Sequence, residues 1–303
     1  EKTENINYDI LLENNIKQQF KKTINLEKLS YSDPYWLQTE GSLGMYNVNK
    51  RTLIGKPETP RKAVVFFNLL IDTTQLTIKK NIIHRYSKRD QGELYDPFEI
   101  VPLVTTKLND KVLLFSDANE QIVNVGVRSG ANNIKGKLFL DVPEEWKVSP
   151  TFIEIEIKQK GDTQTYPFKI TPTINDSEGV IKASVLVDGK KFDKELIEIK
   201  YDHIPKQTVL KKSEAKAVRL NIKKAGNFIG YIKGAGDLVP ESLKQIGYSV
   251  VMINPEEITN EHLRKFDAIV LGIRAYNTIP ILKYKQKFLL EYVKNGGNMV
   301  VQY

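Results

Sequence analysis

The chain has 303 residues, no cysteine and a formal net charge of +8, with 41% hydrophobic and 27% charged residues. This length predicts two or three domains, and the composition is that of an ordinary core-forming protein. Without cysteine, the chain has no disulfide, no thiolate metal site and no cysteine nucleophile. No apolar run is long enough to predict a membrane-spanning helix. The first residues carry neither an initiator Met nor a secretion signal, so we expect a fragment of a longer protein.

The positive charge is concentrated in one stretch of the chain. Residues 206–233 carry eight basic residues and one acid, Glu214, which accounts for nearly the whole excess. Nucleic-acid-binding proteins usually spread their bases over a face and interleave them with aromatic side chains. Here the bases crowd a connection with few aromatics. We therefore predict a basic linker over residues 206–220 and no nucleic-acid partner, with an anionic partner as the alternative.

The N-terminal two thirds of the chain predict a linker followed by two β modules. Residues 1–30 predict a linker or a short helix over INLEKLSY. Residues 31–110 contain short strand-like runs such as KAVVFFNLLI between Pro and Gly residues, which predict a first β-sandwich module. Residues 111–205 contain seven strand-like segments at the spacing of an immunoglobulin-like sandwich. They predict a second sandwich module.

Two local patterns belong to this second module. Asp188 and Gly189 form the dipeptide preferred in two-residue hairpin turns, so they predict a hairpin. Trp146 lies between strand-like segments, and we expect it in the sandwich core rather than on a ligand platform.

Residues 221–303 alternate strands with helices. The strands FIGYI, YSVVMIN, DAIVLGI and NMVVQY are separated by the helical segments DLVPESLKQIG, TNEHLRKF and ILKYKQKFLLEYVKNGG. This alternation predicts a parallel sheet with right-handed crossovers. Because the chain ends on a strand, we expect an incomplete α/β domain.

The first candidate site is the loop that follows the first of these strands. It contains Gly234, Gly236 and Asp237. A loop between a strand and a helix can hold an anion on its backbone N–H groups. However, the loop lacks the third glycine of the dinucleotide-binding pattern, and Asp237 would repel a phosphate. The alternative is a tight turn in which Asp237 caps the following helix.

The second candidate site follows the strand DAIVLGI. It contains Arg274, Tyr276 and Asn277. In open parallel sheets ligands bind at the carboxyl ends of the strands, and an Arg there can hold a carboxylate or phosphate with two hydrogen bonds. The alternative is that Arg274 pairs with a carboxylate of a neighbouring domain.

Several segments together resemble one known family. They are, in chain order, DPYWLQTEGSLGMYNV, TLIGKPETP, HRYSKRDQGELYDPFEIVP, DVPEEWKVSP, IKYDHIP, GYIKGAGDLVPESLKQIGY, DAIVLGIRAYNT and NGGNMVVQY. This arrangement resembles the C-terminal region of multidomain PIG-L (LmbE-like) deacetylases of the Bacteroidetes type. The resemblance covers nearly the whole chain.

The resemblance implies a fold and a setting for each part. It implies a NEW3-like β-sandwich followed by a flavodoxin-like domain of the class I glutamine amidotransferase or ThuA type. It implies a zinc-dependent catalytic domain upstream, since the His-Pro-Asp-Asp motif of that domain is absent here. The amidotransferase class needs a cysteine nucleophile, which this chain lacks. An extracytoplasmic location is also implied.

The expected function is therefore that of a non-catalytic accessory region with no cofactor of its own. Its expected partners are the upstream deacetylase domain and glycans. One alternative is that the α/β domain, completed by further residues, is an enzyme whose site is lined by Arg274, Tyr276 and Asn277. Another is that the whole chain is an interaction module for a protein partner or a second copy.

Overall fold

The computed structural model describes residues 4–23 and 29–303. Residues 4–23 form no helix or strand and are exposed. Most of the short helix predicted over INLEKLSY falls on residues 24–28, outside the described residues. From Thr39 onward the described chain forms three isolated hairpins, a two-sheet sandwich with a further hairpin, and a four-stranded parallel sheet.

The isolated hairpins occupy residues 39–97. Their strands are β1 (Thr39–Ser42), β2 (Met45–Asn47), β3 (Val64–Ile71), β4 (Thr74–Asn81), β5 (Ile83–Lys88) and β6 (Gly92–Pro97). A 3₁₀ turn at Arg51–Leu53 separates β2 from β3. Within the described residues, β1 pairs only with β2, β3 only with β4, and β5 only with β6. This differs from the closed first sandwich that we predicted, because two-stranded sheets offer too little apolar area to enclose a core.

The sandwich begins at Val104 and is built from the next strands of the chain. They are β7 (Val104–Leu108), β8 (Val112–Phe115), β9 (Gln121–Ser129), β10 (Ile134–Asp141), β11 (Lys147–Ser149), β12 (Ile153–Ile157), β13 (Thr163–Thr171), β14 (Ser177–Val187), β15 (Lys190–Phe192), β16 (Lys194–Tyr201), β17 (Ile204–Lys212) and β18 (Glu214–Arg219). One sheet has the order β12-β10-β14-β18-β8, with β15 on β14, and the other has the order β11-β13-β9-β7. Strands β16 and β17 form a separate hairpin.

The two sheets enclose one continuous apolar core. Alternate residues of each strand point into it, as in Val123, Val125 and Val127 of β9, which are buried while Ile122 and Asn124 are exposed. This arrangement agrees with the predicted sandwich. All seven segments predicted as strands are strands, and the dipeptide Asp188-Gly189 joins β14 to β15 with positive φ at both residues, as its turn requires.

Two predicted boundaries differ from the structure. Strand β7 was expected in the first module, but Val104 and Leu108 are fully buried in the sandwich core. Residues 206–220 were expected to be a linker, yet they lie largely in β17 and β18. Strand β18 is internal to its sheet, between β14 and β8, and buries Ala215 and Ala217. The sequence did not predict this strand, because its buried residues are two alanines and Arg219, which do not form a run of large apolar side chains.

The remaining residues form a parallel sheet with helices between its strands. In chain order they are β19 (Phe228–Ile232), α1 (Val239–Gln245), β20 (Ser249–Met252), a 3₁₀ turn (Pro255–Glu257), α2 (Asn260–Leu263), β21 (Ala268–Leu271), α3 (Ala275–Thr278), α4 (Leu282–Lys294) and β22 (Asn298–Val301). The strand order is β20-β19-β21-β22, and every pairing is parallel.

Apolar clusters cover both faces of this sheet. Helices α2 and α4 contribute Leu263 and Leu289 to the cluster on one face, together with Ile269 of the sheet. Helix α1 packs Leu243 on the other face, against Tyr231. After β19 the chain first runs outward to β20 and then returns to the other side of β19 at β21. The loops that leave β19 and β21 are therefore neighbours at the point where the strand order reverses.

Candidate functional site

The two predicted site loops meet at the carboxyl ends of β19 and β21. The N–H of Ala235 donates to the carbonyl oxygen of Ile273 at 2.7 Å. A Cβ atom on Gly234 would lie 2.0 Å from that same oxygen, so only glycine fits at this position. Gly236 has φ of +120° and nothing near it, which indicates an open turn rather than a packed one. The structure therefore brings residues 234–237 against residues 272–273.

Asp237 is held by hydrogen bonds from both loops and from the sheet below. Its carboxylate accepts from the hydroxyl of Tyr231 at 2.6 and 2.7 Å, from the N–H of Val239 at 3.0 Å and from the N–H of Ile273 at 3.3 Å. The N-cap position of α1 is Leu238, one residue later than predicted and without a side-chain cap bond, but Asp237 still accepts from the N–H of Val239, the first residue of the helix. The carboxylate joins the two loops instead of lying free for a ligand.

The Tyr231 hydroxyl lies at the centre of this network. The side chain of Tyr231 is almost fully buried, and its hydroxyl also accepts a hydrogen bond from Nε2 of Gln302 at 3.1 Å. Burial and the neighbouring Asp237 carboxylate raise the pKa of Tyr231, because both disfavour the phenolate. The hydroxyl therefore remains a proton donor to Asp237 across the neutral pH range. No sequence pattern predicted this pairing, since a tyrosine inside an apolar strand is usually a core residue.

The second loop presents its polar side chains to solvent. Arg274 adopts the left-handed conformation, with φ of 55° and ψ of 27°, and its carbonyl oxygen accepts from the N–H groups of Asn277 and Thr278. The buried Ala275 anchors the loop, whereas Arg274, Tyr276 and Asn277 are exposed. Burial of part of its ring raises the pKa of Tyr276.

In the described part of the chain, Arg274 does not form the interdomain ion pair that we gave as the alternative. No Asp or Glu among residues 4–23 and 29–303 lies within ion-pair distance of its guanidinium. A guanidinium, a phenol and an amide within four residues offer several hydrogen-bond donors to an anionic or polar ligand.

Two clefts lie elsewhere and were not predicted from the sequence. One, of about 280 Å³, opens at the amino ends of β21 and β22 and is lined by Asn260, Arg264, Asp267 and Asn295 among others. The other is a small cavity of about 30 Å³ beside Arg61. Their lining residues come from separate segments with no common spacing, so no sequence pattern could have identified them.

Over 4–23 and 29–303, no group of three or more His, Asp or Glu side chains is placed to hold a metal ion. Over the same residues, no helix has the length and apolar character needed to cross a bilayer.

Comparison with known proteins gives no family. No protein-family model matches the chain, and no curated protein matches it. Among solved structures, it is similar to a family 123 glycoside hydrolase from Clostridium perfringens, with 8% identity and a TM-score of 0.22 over 43% of this chain and 30% of that one. A protein of unknown function from Porphyromonas gingivalis W83 matches with 8% identity and a TM-score of 0.22, over 44% of this chain and 60% of that chain.

A third structure matches at a similar level. It is WR4, an MSP family member of C. elegans, with 10% identity and a TM-score of 0.21 over 39% of this chain and 98% of that one. The chain thus spans less than a third of the glycoside hydrolase that it matches. At TM-scores this low, none of these similarities carries an argument about function.

Proposed function

We propose that this chain is an accessory region of a secreted PIG-L (LmbE-like) carbohydrate de-N-acetylase, and that it serves as a scaffold on which the upstream catalytic domain of the same polypeptide docks. Glycan binding is a second part of the proposal. The observation that supports scaffolding is an apolar face on the hairpin formed by β3 and β4.

This hairpin apolar face is defined by the register of the two strands. Eight side chains project from the same side, and six of them are apolar: Val65, Phe67, Leu69 and Ile71 of β3, and Leu76 and Ile78 of β4. The other two, Thr74 and Lys80, lie at the two ends of the hairpin. Four of the six are exposed, including Phe67 at 44%, and the other two are only partly covered. Contiguous exposed apolar side chains of this kind mark interaction surfaces in soluble proteins.

The size of the face favours a covalently joined partner. Two strands of eight residues give a footprint of roughly 260 Å² per face, from a rise of about 3.4 Å per residue and a strand spacing of about 4.8 Å. A stable complex between separate proteins buries about 800 Å² on each partner. A domain on the same polypeptide needs less contact area, since its effective concentration is already high. An isolated hairpin is also marginally stable in water, so it gains from being covered.

Replacing Phe67 with aspartate should weaken this docking at least tenfold. The change places a charge at the centre of the hairpin apolar face, where docking would bury it without a partner. The measurement is isothermal titration of the 303-residue chain with the separately produced upstream domain of its polypeptide.

The matched control is Phe66→Asp, because Phe66 is adjacent, even more exposed, and projects from the opposite side of the hairpin. The proposal expects binding to survive in this control. Equal loss in both variants would point to damage of the hairpin itself, and undiminished binding of the Phe67 variant would refute docking on this face.

For the last 83 residues we propose a flavodoxin-like domain of the amidotransferase type that binds a small ligand. The strand order β20-β19-β21-β22, which is 2-1-3-4 in chain order, supports it because flavodoxin-like sheets begin in this way. The ligand would contact Arg274, Tyr276 and Asn277, with Gly234 and Gly236 opposite them. A hydrolytic function of the completed domain is the alternative use of the same site.

Arg274→Ala should abolish ligand-dependent stabilisation if the site lies on this loop. The measurement is the thermal shift of the chain with N-acetylated and de-N-acetylated oligosaccharides. Arg264→Ala is the control, because Arg264 is also exposed but lies at the opposite edge of the same sheet. Stabilisation that persists in the Arg274 variant would place sugar binding on the β modules, and no stabilisation of any variant would remove glycan binding from the proposal.

A further inference from the structure

Strand β8 is one of the two edge strands of the larger sandwich sheet, and helix α1 packs against it. Along β8 the backbone groups of Lys111 and Phe115 bond inward to β18, so those of Val112 and Leu114 point outward. The side chain of Gln245, at the end of α1, meets both. Its Oε1 accepts from the N–H of Leu114 at 2.8 Å, and its Nε2 donates to the carbonyl oxygen of Val112 at 3.3 Å.

The amide of Gln245 thus takes the place of one residue of a neighbouring strand. A strand residue would offer one acceptor and one donor to this pair of backbone groups, and a glutamine amide offers the same two. The orientation of the amide is fixed, since one backbone partner can only donate and the other can only accept. Covering an edge strand in this way also removes a site of unwanted strand pairing.

The connection between the sandwich and the parallel sheet is held at the same end of α1. Nζ of Lys224 donates to the carbonyl oxygen of Gly247 and lies 5.0 Å from the centre of the Tyr248 ring. The hydroxyl of Tyr248 donates to the carbonyl oxygen of Ala225 at 3.3 Å. Residues 224–225 are therefore bound to the turn after α1 and do not form a free tether.

The opposite end of α1 is held by the candidate site. The N–H of Val239, the first residue of α1, donates to Asp237, which also accepts from the N–H of Ile273 in the second loop. With seven residues, α1 is about 10 Å long. A short rigid element is thus fixed to the sandwich edge at one end and to both site loops at the other.

We propose that α1 is a strut that couples the sandwich to the candidate site, so that ordering of the loops 233–237 and 272–278 and closure of the β8 edge stabilise one another. Coupling of this kind is reciprocal: a ligand that orders the loops protects β8, and loosening β8 weakens the loops. This inference does not depend on the proposed function, because it concerns only contacts within the chain.

Hydrogen exchange of the intact chain tests the strut at individual amides. Gln245→Met removes both hydrogen bonds while retaining a helix-forming side chain of similar size. We expect exchange of the Leu114 amide to rise by about tenfold, the effect of losing two neutral hydrogen bonds. The amides of Val239 and Ile273, at the far end of α1, should also exchange several-fold faster. Gln245→Glu, which retains the acceptor for Leu114 but not the donor for Val112, should fall between.

Lys244→Met is the matched control, because Lys244 is the preceding residue of α1 and its side chain is exposed. It should leave all three amides unchanged. If only the Leu114 amide exchanges faster, Gln245 protects the β8 edge without coupling it to the site loops, and the proposed role of α1 as a strut is refuted. A uniform rise that includes the amides of β9 and β13 would mean general destabilisation and would overturn it as well.

Discussion

Replacing Asp237 with alanine is expected to destabilise the parallel-sheet part of the chain by about 3 kcal/mol. The change removes the acceptor for Tyr231, Val239 and Ile273. A hydrogen bond to a charged group contributes about 1.5–3 kcal/mol, but the three donors share one partly exposed carboxylate, so their contributions do not add in full. It also leaves the buried hydroxyl of Tyr231 without its acceptor, and the two site loops without the group that joins them. The measurement is hydrogen exchange of the β21 amides, which lie in the centre of this sheet.

Two variants separate the role of the Asp237 network from a general effect of losing a carboxylate. Asp237→Asn retains one acceptor oxygen and should show an intermediate loss. Asp267→Ala removes a carboxylate that also accepts two backbone N–H groups, but at the exposed opposite edge of the sheet, so its effect should be smaller. If both alanine variants behave alike, Asp237 is an ordinary surface acceptor and the two loops are held together by backbone contacts alone.

Periodicity identified the sandwich strands because burial there follows strict alternation. The strand Ile153–Ile157 buries Ile155 and Ile157 and exposes Glu154 and Glu156, which is the pattern its sequence shows. The strands of residues 221–303 and helices α1, α2 and α4 were equally visible, since each strand is a short apolar run between glycine-containing turns or helix caps. The short helix α3 was not predicted, because its residues had been assigned to a loop. Local chemistry determines these elements, and one sequence is enough to find them.

The first β module shows what periodicity cannot supply. Strand β3 has the composition of a buried strand, with Phe66, Phe67 and Leu70 among its residues, yet these side chains are exposed. Whether such a strand enters a closed sandwich depends on which other strands are available to cover it. That information is tertiary, and it was therefore absent from the pattern that predicted a sandwich over residues 31–110.

In the candidate site, too, the features set by local sequence were predicted and those set by tertiary contacts were not. The glycines predicted the tight turn, and the strand–loop–helix order placed both loops at one edge of the sheet. The partners of Asp237 were beyond reach, since Tyr231 and Ile273 are 6 and 36 residues away in sequence and are brought close only by strand pairing. The exposed side chains of Arg274, Tyr276 and Asn277 remain a predicted site, and the oligosaccharide measurements above decide its use.

Replacing Trp146 with alanine should destabilise the sandwich by about 3–5 kcal/mol, the usual cost of deleting a large buried aromatic side chain. Trp146 is 6% exposed, its ring meets that of Phe115 edge to face at 4.9 Å, and its Nε1 donates to Oγ of Ser177 at 3.1 Å. Urea denaturation followed by circular dichroism measures the loss. Trp146→Phe, which keeps an aromatic ring but not the hydrogen bond, should cost less, and so should Trp36→Ala, because Trp36 is only partly buried. A change below about 1 kcal/mol for Trp146→Ala would contradict its place in the core and would favour the ligand-platform role instead.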